Sequence, residues 1–213
     1  GTTIIMIGND INIAIIDYGM GNVRSVQKAL EFVAPNDHCV LTNDSQIIND
    51  SDRVVFPGQG AMGACMEALQ ENNLIEVIKV ASKEKPFLGI CLGLQLLFDH
   101  SEENNGTDGL SIIPGEVLKF KNNELKIPHM GWNEVKQIRN HPLWNNIDDN
   151  SRFYSVHSYF VKEIDSSCVT GTTNYGENFT SAIAKDKLFA VQFHPEKSQN
   201  DGLQLLKNFT NWA

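Results

Sequence analysis

The sequence lacks long apolar runs, and no stretch approaches the roughly 20 apolar residues that a membrane-spanning helix needs. It also lacks an excess of basic residues, since 17 Lys and Arg stand against 26 Asp and Glu, giving a net charge of −9. That balance argues against nucleic acid or an anionic membrane surface as the main partner, because both favour clustered cations. With 41% hydrophobic residues, the composition is typical of a soluble globular protein.

Cysteine is scarce and scattered, since the chain has four and none forms a C-x-x-C pair. This spacing excludes the usual zinc and thioredoxin-like arrangements. A chain of 213 residues can bury a full core without disulfide bonds, so scattered cysteines favour the reducing cytoplasm. The histidines show no ligand-like spacing, and Gly19-Met20-Gly21 lacks the third glycine of a dinucleotide-binding turn. We predict neither a metal nor a cofactor.

The first half of the chain alternates apolar runs with helical patterns. Short apolar runs stopped by turn residues predict strands at 12–16, 53–56 and 86–90. Apolar residues at spacings of three and four, or helical composition, predict helices at 21–34, 61–83 with a break near 72–73, and 92–98. The alternation predicts an α/β fold with a mostly parallel central sheet and helices on both faces.

The second half contains short β-like segments at 115–120, 132–136, 153–161, 168–175, 180–185 and 188–193. They predict an antiparallel β region added to the sheet, closed by an amphipathic helix at 201–213. No linker is long enough to divide the chain, so we expect residues 1–213 to form one domain. Residues 1–11 are interpreted as an N-terminal extension, derived in part from cloning.

The segment Gly89-Ile90-Cys91-Leu92-Gly93 is the cysteine version of the G-x-S-x-G nucleophile elbow. In such an elbow, a strand turns sharply into a helix, and the glycines leave room around the strained corner residue. Free N–H groups at the helix start can hold a developing oxyanion. A buried core cysteine is the alternative. The position of Cys91, where an apolar run meets an amphipathic segment, favours the nucleophile.

A cysteine nucleophile needs a base, and the base needs a group that fixes its tautomer. Among the six histidines, His194 has the best setting, because it follows the apolar segment 188–193 and precedes Pro195-Glu196. Glu196 can accept a hydrogen bond from the imidazole. H-P-E alone also fits an ordinary surface turn, but with the elbow it predicts a Cys91–His194–Glu196 triad.

A glycine-rich turn, Pro57-Gly58-Gln59-Gly60, follows the predicted strand at 53–56. Most turns of this kind only connect two elements. Because consecutive strands in such sheets are often neighbours, we expect this turn to lie beside the elbow. Its backbone N–H groups would then complete the oxyanion hole.

G-I-C-L-G-L-Q at 89–95 and Q-F-H-P-E-K-S at 192–198 together resemble the class I glutamine amidotransferase family. D-Y-G-M-G-N at 17–22, K-I-P-H-M-G-W-N at 126–133 and Y-S-V-H-S-Y at 154–159 extend the resemblance from about Asn12 to the end of the chain. It implies a flavodoxin-like three-layer sandwich. It also implies hydrolysis of the side-chain amide of glutamine by a Cys-His-Glu triad, with the ammonia passed on.

The resemblance implies that Cys91 forms a glutamyl thioester, that His194 transfers the proton and that Glu196 orients His194. It implies oxyanion donors at the backbone N–H groups of Gly58, Gln59 and Leu92. Gln59 departs from the valine of the family, which matters little if the loop acts through its backbone. The implied substrate-binding residues are Gly60, Gln95, Glu103, Ser158 and Tyr159.

Apolar Met130 and Trp132 stand among polar residues in the segment 127–133, which we predict to be a short loop. Exposed Met and aromatic residues mark interfaces, although a Trp can also fill the local core. The resemblance favours an interface with a cyclase, which would be a (β/α)₈ barrel through which ammonia passes. The implied interface residues are Asn22, His129, Met130, Trp132, Asn133 and Lys197.

Three alternatives remain open. A close relative could supply ammonia to another acceptor, such as a sugar-modifying amidotransferase, with the same triad. The elbow and triad also fit γ-glutamyl peptide hydrolases and related cysteine peptidases, which act without a partner. A binding module that kept only the fold is the third alternative, and an intact triad argues against it.

Overall fold

The computed structural model describes residues 11–212, so the predicted N-terminal extension lies, apart from Ile11, outside the described residues. The strands in chain order are β1 (Asn12–Ile16), β2 (His38–Thr42), β3 (Arg53–Phe56), β4 (Phe87–Ile90), β5 (His100–Ser101), β6 (Thr107–Asp108), β7 (Gly115–Lys119), β8 (His129–Glu134), β9 (Lys136–Gln137), β10 (Arg152–His157), β11 (Tyr159–Glu163), β12 (Val169–Asn174), β13 (Asn178–Lys185) and β14 (Leu188–Val191). The α-helices are α1 (Val23–Val33), α2 (Ser45–Asp50), α3 (Met62–Glu71), α4 (Ile75–Glu84), α5 (Leu92–Gln95) and α6 (Gln199–Asn211).

Parallel strands form the centre of the sheet in the spatial order β2–β1–β3–β4–β14. Beyond β14 the pairing becomes antiparallel and continues through β13 and β11 to β7. β5 and β6 extend that edge, while β12 joins β13 to β9. β8 and β10 form a separate antiparallel ribbon, named here the β8–β10 ribbon. The predicted α/β fold with an added antiparallel region is confirmed.

Alternation along β1 explains why the sheet has a core on each face. Ile13 and Ile15 lie in one buried cluster with α1 and α6. Ala14 and Ile16 lie in the other cluster, with α3 and α4. Successive side chains of a strand point to opposite faces, so an uninterrupted apolar run is what a strand between two helical layers requires.

Two elements of the first half, β2 and α2, were not predicted. β2 lies at the edge of the sheet, and most of its residues stay at least partly exposed, so it lacks a continuous apolar run. α2 is only six residues long, and only Ile48 is buried on it. The predicted helix at 61–83 divides where expected, into α3 and α4, with Asn73 at a φ of 55° between them.

Two predictions in the second half were wrong. The predicted loop at 127–133 is mostly the strand β8, which pairs with β10 over its whole length. The predicted strand at 153–161 is divided at Ser158 into β10 and β11, which belong to different sheets. Within the described residues, no helix is long and apolar enough to cross a membrane.

Candidate active site

Cys91 occupies the corner between β4 and α5, with a φ of 56° and a ψ of −113°. A non-glycine residue held there costs about 1–3 kcal/mol, so the surrounding structure must fix it. Gly93 leaves the necessary space, because a Cβ atom there would lie 1.9 Å from the carbonyl oxygen of Phe56. At Gly89, a Cβ atom would lie 3.0 Å from the Cβ of Ala190. The predicted elbow is present. Close approach requires the glycine at 93, and the space at Gly89 is tight.

His194 lies beyond β14, where Pro195–Lys197 form a turn of 3₁₀ helix. Its Nδ1 lies 2.8 Å from Oε1 of Glu196, and the side chains of His194 and Glu196 are 6% and 2% exposed. A carboxylate accepts this bond when Nδ1 carries the proton, which leaves Nε2 as the nitrogen that can exchange a proton with Cys91 and the substrate. Nε2 is buried, and none of the described residues forms a hydrogen bond of regular geometry with it. Catalytic contacts are often loose before substrate binds.

The electrostatics around His194 favour its charged form. Burial alone would lower the pKa of His194, but the Cys91 side chain and the Glu196 carboxylate outweigh it and raise that pKa to about 10. These contacts stabilise the charged ring that forms when His194 takes a proton, and that ring can then give the proton to a leaving group. The Cys91 sulfur also faces the carbonyl oxygen of Val156 at 3.9 Å and the amide Nε2 of Gln192 at 3.8 Å.

The turn at 57–60, named here the oxyanion loop, lies against the elbow, because β3 and β4 are neighbours in the sheet. A Cβ atom at Gly58 would lie 3.0 Å from the Cβ of Leu92 and 3.1 Å from the nitrogen of Gly93. Gln59, Gly60 and Leu92 line the same cavity as Cys91. The loop therefore has the position that a second source of oxyanion donors requires.

A cavity of about 280 Å³ opens above the elbow. All the predicted substrate-binding residues line it together with Cys91 and His194: Gly60, Gln95, Glu103, Ser158 and Tyr159. The carboxylate of Glu103 accepts from the backbone N–H of Met62 at 3.3 Å, at the start of α3. The amide of Gln95 donates to the carbonyl of Tyr159 at 3.2 Å and to Oε1 of Gln192 at 3.0 Å.

Sequence reasoning gave no role to Gln192, which connects the nucleophile to the substrate-binding set. It is 1% exposed, and its amide lies between Gln95 and the sulfur of Cys91. It is the first residue of the Q-F-H-P-E-K-S motif, so the signal was available in the sequence. Among residues 11–212, no group of three or more His, Cys, Asp or Glu side chains is arranged to hold a metal.

A chain of hydrogen bonds runs from the cavity wall to the β8–β10 ribbon. Nδ1 of His157 lies 2.7 Å from the carbonyl oxygen of Tyr159, so this nitrogen must donate. In the neutral ring, Nε2 is then an acceptor and takes the proton of Nδ1 of His129, at 2.9 Å. Nε2 of His129 in turn accepts from the amide of Asn133 at 3.2 Å, and that amide also donates to Asn174 at 2.9 Å. The geometry thus assigns each proton while both rings stay neutral.

We expect this histidine pair to make the fold acid-labile. Burial lowers the pKa of His157 from 6.5 to about 3 and also lowers that of His129. Below pH 6.5 the unfolded chain takes up protons that the folded chain excludes, so stability falls as the pH falls towards 3. Between pH 6.5 and about 3, His157 contributes a slope of about 1.4 kcal/mol per pH unit, and His129 adds to it in the same direction. Urea unfolding across that range should show a shallower slope for His157→Gln and an unchanged slope for the control His38→Gln, which alters an exposed ring.

The β8–β10 ribbon presents the predicted interface residues unequally. Met130 and Trp132 are 60% and 45% exposed, as an interface requires. His129 is 3% exposed and stacks on Tyr175, so its prediction as a surface contact was wrong. Alternation along β8 turns His129 and Asn133 inwards and Met130 and Trp132 outwards. Of the other predicted interface residues, Asn22 is exposed and Lys197 is half-buried.

The β8–β10 ribbon also contacts the catalytic segment. The ring of exposed Trp132 packs edge-on against Tyr154, with centroids 6.2 Å apart. The carbonyl of Tyr154 accepts from the backbone N–H of His194 at 2.9 Å, and its N–H donates to Oγ of Ser198 at 2.9 Å. Two residues further along β10, the carbonyl oxygen of Val156 faces the sulfur of Cys91. Strand β10 therefore contacts His194 and Cys91 along one edge and pairs with the exposed strand β8 along the other edge.

Comparison with known proteins agrees with this geometry. The family described as glutamine amidotransferase class-I matches residues 14–212. Among curated proteins, the imidazole glycerol phosphate synthase subunit HisH of Aromatoleum aromaticum is 54% identical over 210 residues, covering 95% of this chain and 99% of the relative. The subunit of that name from Hydrogenovibrio crunogenus is 54% identical over 204 residues, covering 94% and 96%.

Solved structures share the fold at low sequence identity. The structure of PurLQS from Thermotoga maritima has a TM-score of 0.73 at 18% identity, covering 95% of this chain and 99% of that chain. A putative GMP synthase protein from Thermoplasma acidophilum has a TM-score of 0.70 at 17% identity, covering 94% and 92%. Since the family pattern spans nearly the whole chain, this protein belongs to the class I glutamine amidotransferase family.

Proposed function

We propose that this protein is the glutaminase subunit of imidazole glycerol phosphate synthase, acting in the cytoplasm, and that it hydrolyses glutamine and delivers ammonia to a cyclase subunit. The observation that carries the proposal is that Cys91, at the strained elbow, and His194 line the same small cavity, with Glu196 hydrogen-bonded to the imidazole. The names of relatives more than half identical in sequence support the choice of synthase.

In the first half-reaction, Nε2 of His194 takes the thiol proton of Cys91, and the sulfur attacks the side-chain amide carbon of glutamine. A C–S bond forms, and the C=O electron pair moves to oxygen. Backbone N–H groups of Leu92 and of Gly58 or Gln59 stabilise that oxyanion, an effect worth roughly 3–4 kcal/mol for each well-placed donor. As the intermediate collapses, the C–N bond breaks, His194 gives its proton to the nitrogen, and ammonia leaves.

The second half-reaction releases glutamate from the thioester. His194, now neutral at Nε2, takes a proton from a water molecule that attacks the thioester carbon. The C–S bond breaks, and the proton held by His194 is again available for the next leaving group. Glu196 keeps the ring in the tautomer that presents Nε2 throughout, as the orienting carboxylate does in other triads.

The cavity suits a single amino acid better than a peptide. Its volume of about 280 Å³ and the polar groups that line it, among them Gln95 and Glu103, match a small zwitterion with an amide side chain. We assign the carboxylate of Glu103 to the α-ammonium group of glutamine, since opposite charges attract most strongly in a partly enclosed site. The amide of Gln95 and the backbone at Ser158–Tyr159 complete the recognition of the other end of the substrate. A peptidase would need an open groove here instead.

We assign the partner surface to the outward face of the β8–β10 ribbon, with the cyclase expected to be a (β/α)₈ barrel that receives the ammonia. Met130 and Trp132 are residue types enriched at interface centres, and both are exposed. Because Trp132 packs on Tyr154, and Tyr154 holds the backbone of His194, a partner seated on Trp132 would press on the catalytic segment. We therefore expect low activity of the isolated chain and strong stimulation by the cyclase.

Replacement of Trp132 with alanine tests this assignment. We expect Trp132→Ala to raise the cyclase concentration that gives half-maximal stimulation at least about tenfold, since buried interface tryptophans contribute about 2 kcal/mol or more. Its glutaminase rate without the cyclase should stay low, as for the parent chain alone. The control is Ile164→Ala, which removes another exposed apolar side chain, 77% exposed at the end of β11.

Glutamate release would be titrated with the cyclase in the presence of its nucleotide ligand. Equal loss of stimulation in Trp132→Ala and Ile164→Ala would contradict the assigned surface. Stimulation by a different acceptor enzyme, with no response to the cyclase, would keep the glutaminase and replace the partner.

A further inference from the structure

Two buried side chains hold the oxyanion loop from outside the cavity. The hydroxyl of Tyr18, in the turn after β1, donates to the carbonyl of Pro57 at 2.9 Å. The thiol of Cys65, in α3, donates to the carbonyl of Gln59 at 3.5 Å. Tyr18 and Cys65 also interact with each other. Neither residue lines the cavity, so neither touches substrate.

Both groups remain donors under working conditions. Burial raises the pKa of Tyr18 well above its usual value, and the nearby Cys65 raises it further. Burial raises the pKa of Cys65 to about 11. Each side chain therefore keeps its proton at neutral pH and can hold a carbonyl oxygen. In an apolar surrounding, such bonds are stronger than in water.

The two bonds leave one peptide unit between them. The carbonyl of Pro57 belongs to the peptide before Gly58, and the carbonyl of Gln59 belongs to the peptide before Gly60. Between these fixed points lies the Gly58–Gln59 peptide, whose N–H is one of the proposed oxyanion donors. The space around it is tight, because a Cβ atom at Gly58 would lie 2.8 Å from the hydroxyl of Tyr18.

The turn after β1 adds further contacts to the same loop. A Cβ atom at Gly60 would lie 3.3 Å from Cε of Met20, and one at Gly21 would lie 3.8 Å from Cα of Gly58. The loop is thus enclosed between this turn, the start of α3 and the elbow. A donor held rigidly where negative charge develops stabilises a transition state without reorganisation.

Resting on the proposed function, we propose that Tyr18 and Cys65 are positioning residues that fix the oxyanion loop, and with it the N–H of Gln59, for the hydrolysis of glutamine. They act on the transition state through the backbone and do not bind the substrate. Their loss should therefore lower kcat and leave KM for glutamine nearly unchanged.

The test compares Tyr18→Phe and Cys65→Ala with the control Cys168→Ala, which removes a thiol that is also buried but lies near β12. Glutamate release would be measured with the stimulating cyclase present. We expect kcat to fall about tenfold in each loop variant, a part of the 10²–10³-fold that loss of a whole oxyanion donor costs. The control should keep its kcat.

A second readout separates the loop from the nucleophile. Alkylation of Cys91 by iodoacetamide, followed on the peptide that carries Cys91, needs the reactive sulfur but no oxyanion donor. We expect its rate to be unchanged in Tyr18→Phe and Cys65→Ala, with thermal melting showing folded protein. A kcat that stays equal or rises would overturn the proposal, as would alkylation that slows in parallel with kcat. Hydrolysis that survives Cys91→Ala would instead defeat the proposed function itself.

Discussion

Cys91→Ala is expected to remove glutamine hydrolysis while leaving the fold intact. The sulfur is the atom that forms the thioester, and no other described side chain in the cavity can replace it in that position. Loss of a nucleophile from a catalytic triad lowers kcat by at least about 10⁴-fold. Glutamate release by the purified variant, with and without the cyclase, measures the effect.

The matched control for this prediction is again Cys168→Ala, because it also shortens a buried cysteine and leaves the elbow untouched. Circular dichroism and thermal melting should show that both variants fold. A folded Cys91→Ala protein that still released glutamate at a rate near that of the parent would contradict the assignment of the nucleophile.

Gly93→Ala is expected to disrupt the elbow strongly, although it adds only one methyl group. Its Cβ atom would lie 1.9 Å from the carbonyl oxygen of Phe56, a backbone atom that cannot move without shifting β3 or the elbow. Such overpacking costs about 1–3 kcal/mol or more. Displacement of the elbow should also remove most of the activity, because small misplacements in a catalytic site can cost about 10²-fold.

Gly63→Ala provides the comparison, since it adds the same methyl group within α3. There the nearest atom, Oγ1 of Thr107, is 3.5 Å away, which is an ordinary contact. Alanine should stabilise the helix by about 0.5–1 kcal/mol relative to glycine. Urea unfolding of both variants measures the difference, and equal stabilities would show that the elbow tolerates the side chain.

Much of the fold could be predicted because its central strands are continuous apolar runs. β1, β3 and β4 are buried on both faces, so each leaves a strong local signal. β2 could not be found in this way, because it lies at the sheet edge with alternate residues exposed. α2 left one usable signal, since Asp44 caps it by accepting from the N–H of Gln46.

The placement of the proposed triad residues could be predicted because short motifs encode their local geometry. Cys91 is fixed by adjacent glycines, and His194 and Glu196 are two residues apart. The supporting contacts are of another kind. Those of Tyr18 with Pro57 and of Cys65 with Gln59 join side chains to backbone carbonyls across the fold, so their pairing is not written in the spacing of residues.

The ribbon shows how one error in secondary structure changes a site prediction. Interpreted as a loop, residues 127–133 gave no basis for separating inward from outward side chains. As a strand, they alternate, so that His129 joins a buried hydrogen-bond chain while Trp132 remains exposed. The resemblance singled out the segment, but only the pairing of β8 with β10 assigns a face to each residue.

The most direct test of the proposed function is the rate of glutamate release by the purified chain, measured alone and with the cyclase and its nucleotide ligand. We predict a low rate for the chain alone, strong stimulation by the liganded cyclase, and no hydrolysis in either condition for Cys91→Ala. An equal rate with and without the cyclase would contradict a glutaminase controlled through the β8–β10 ribbon.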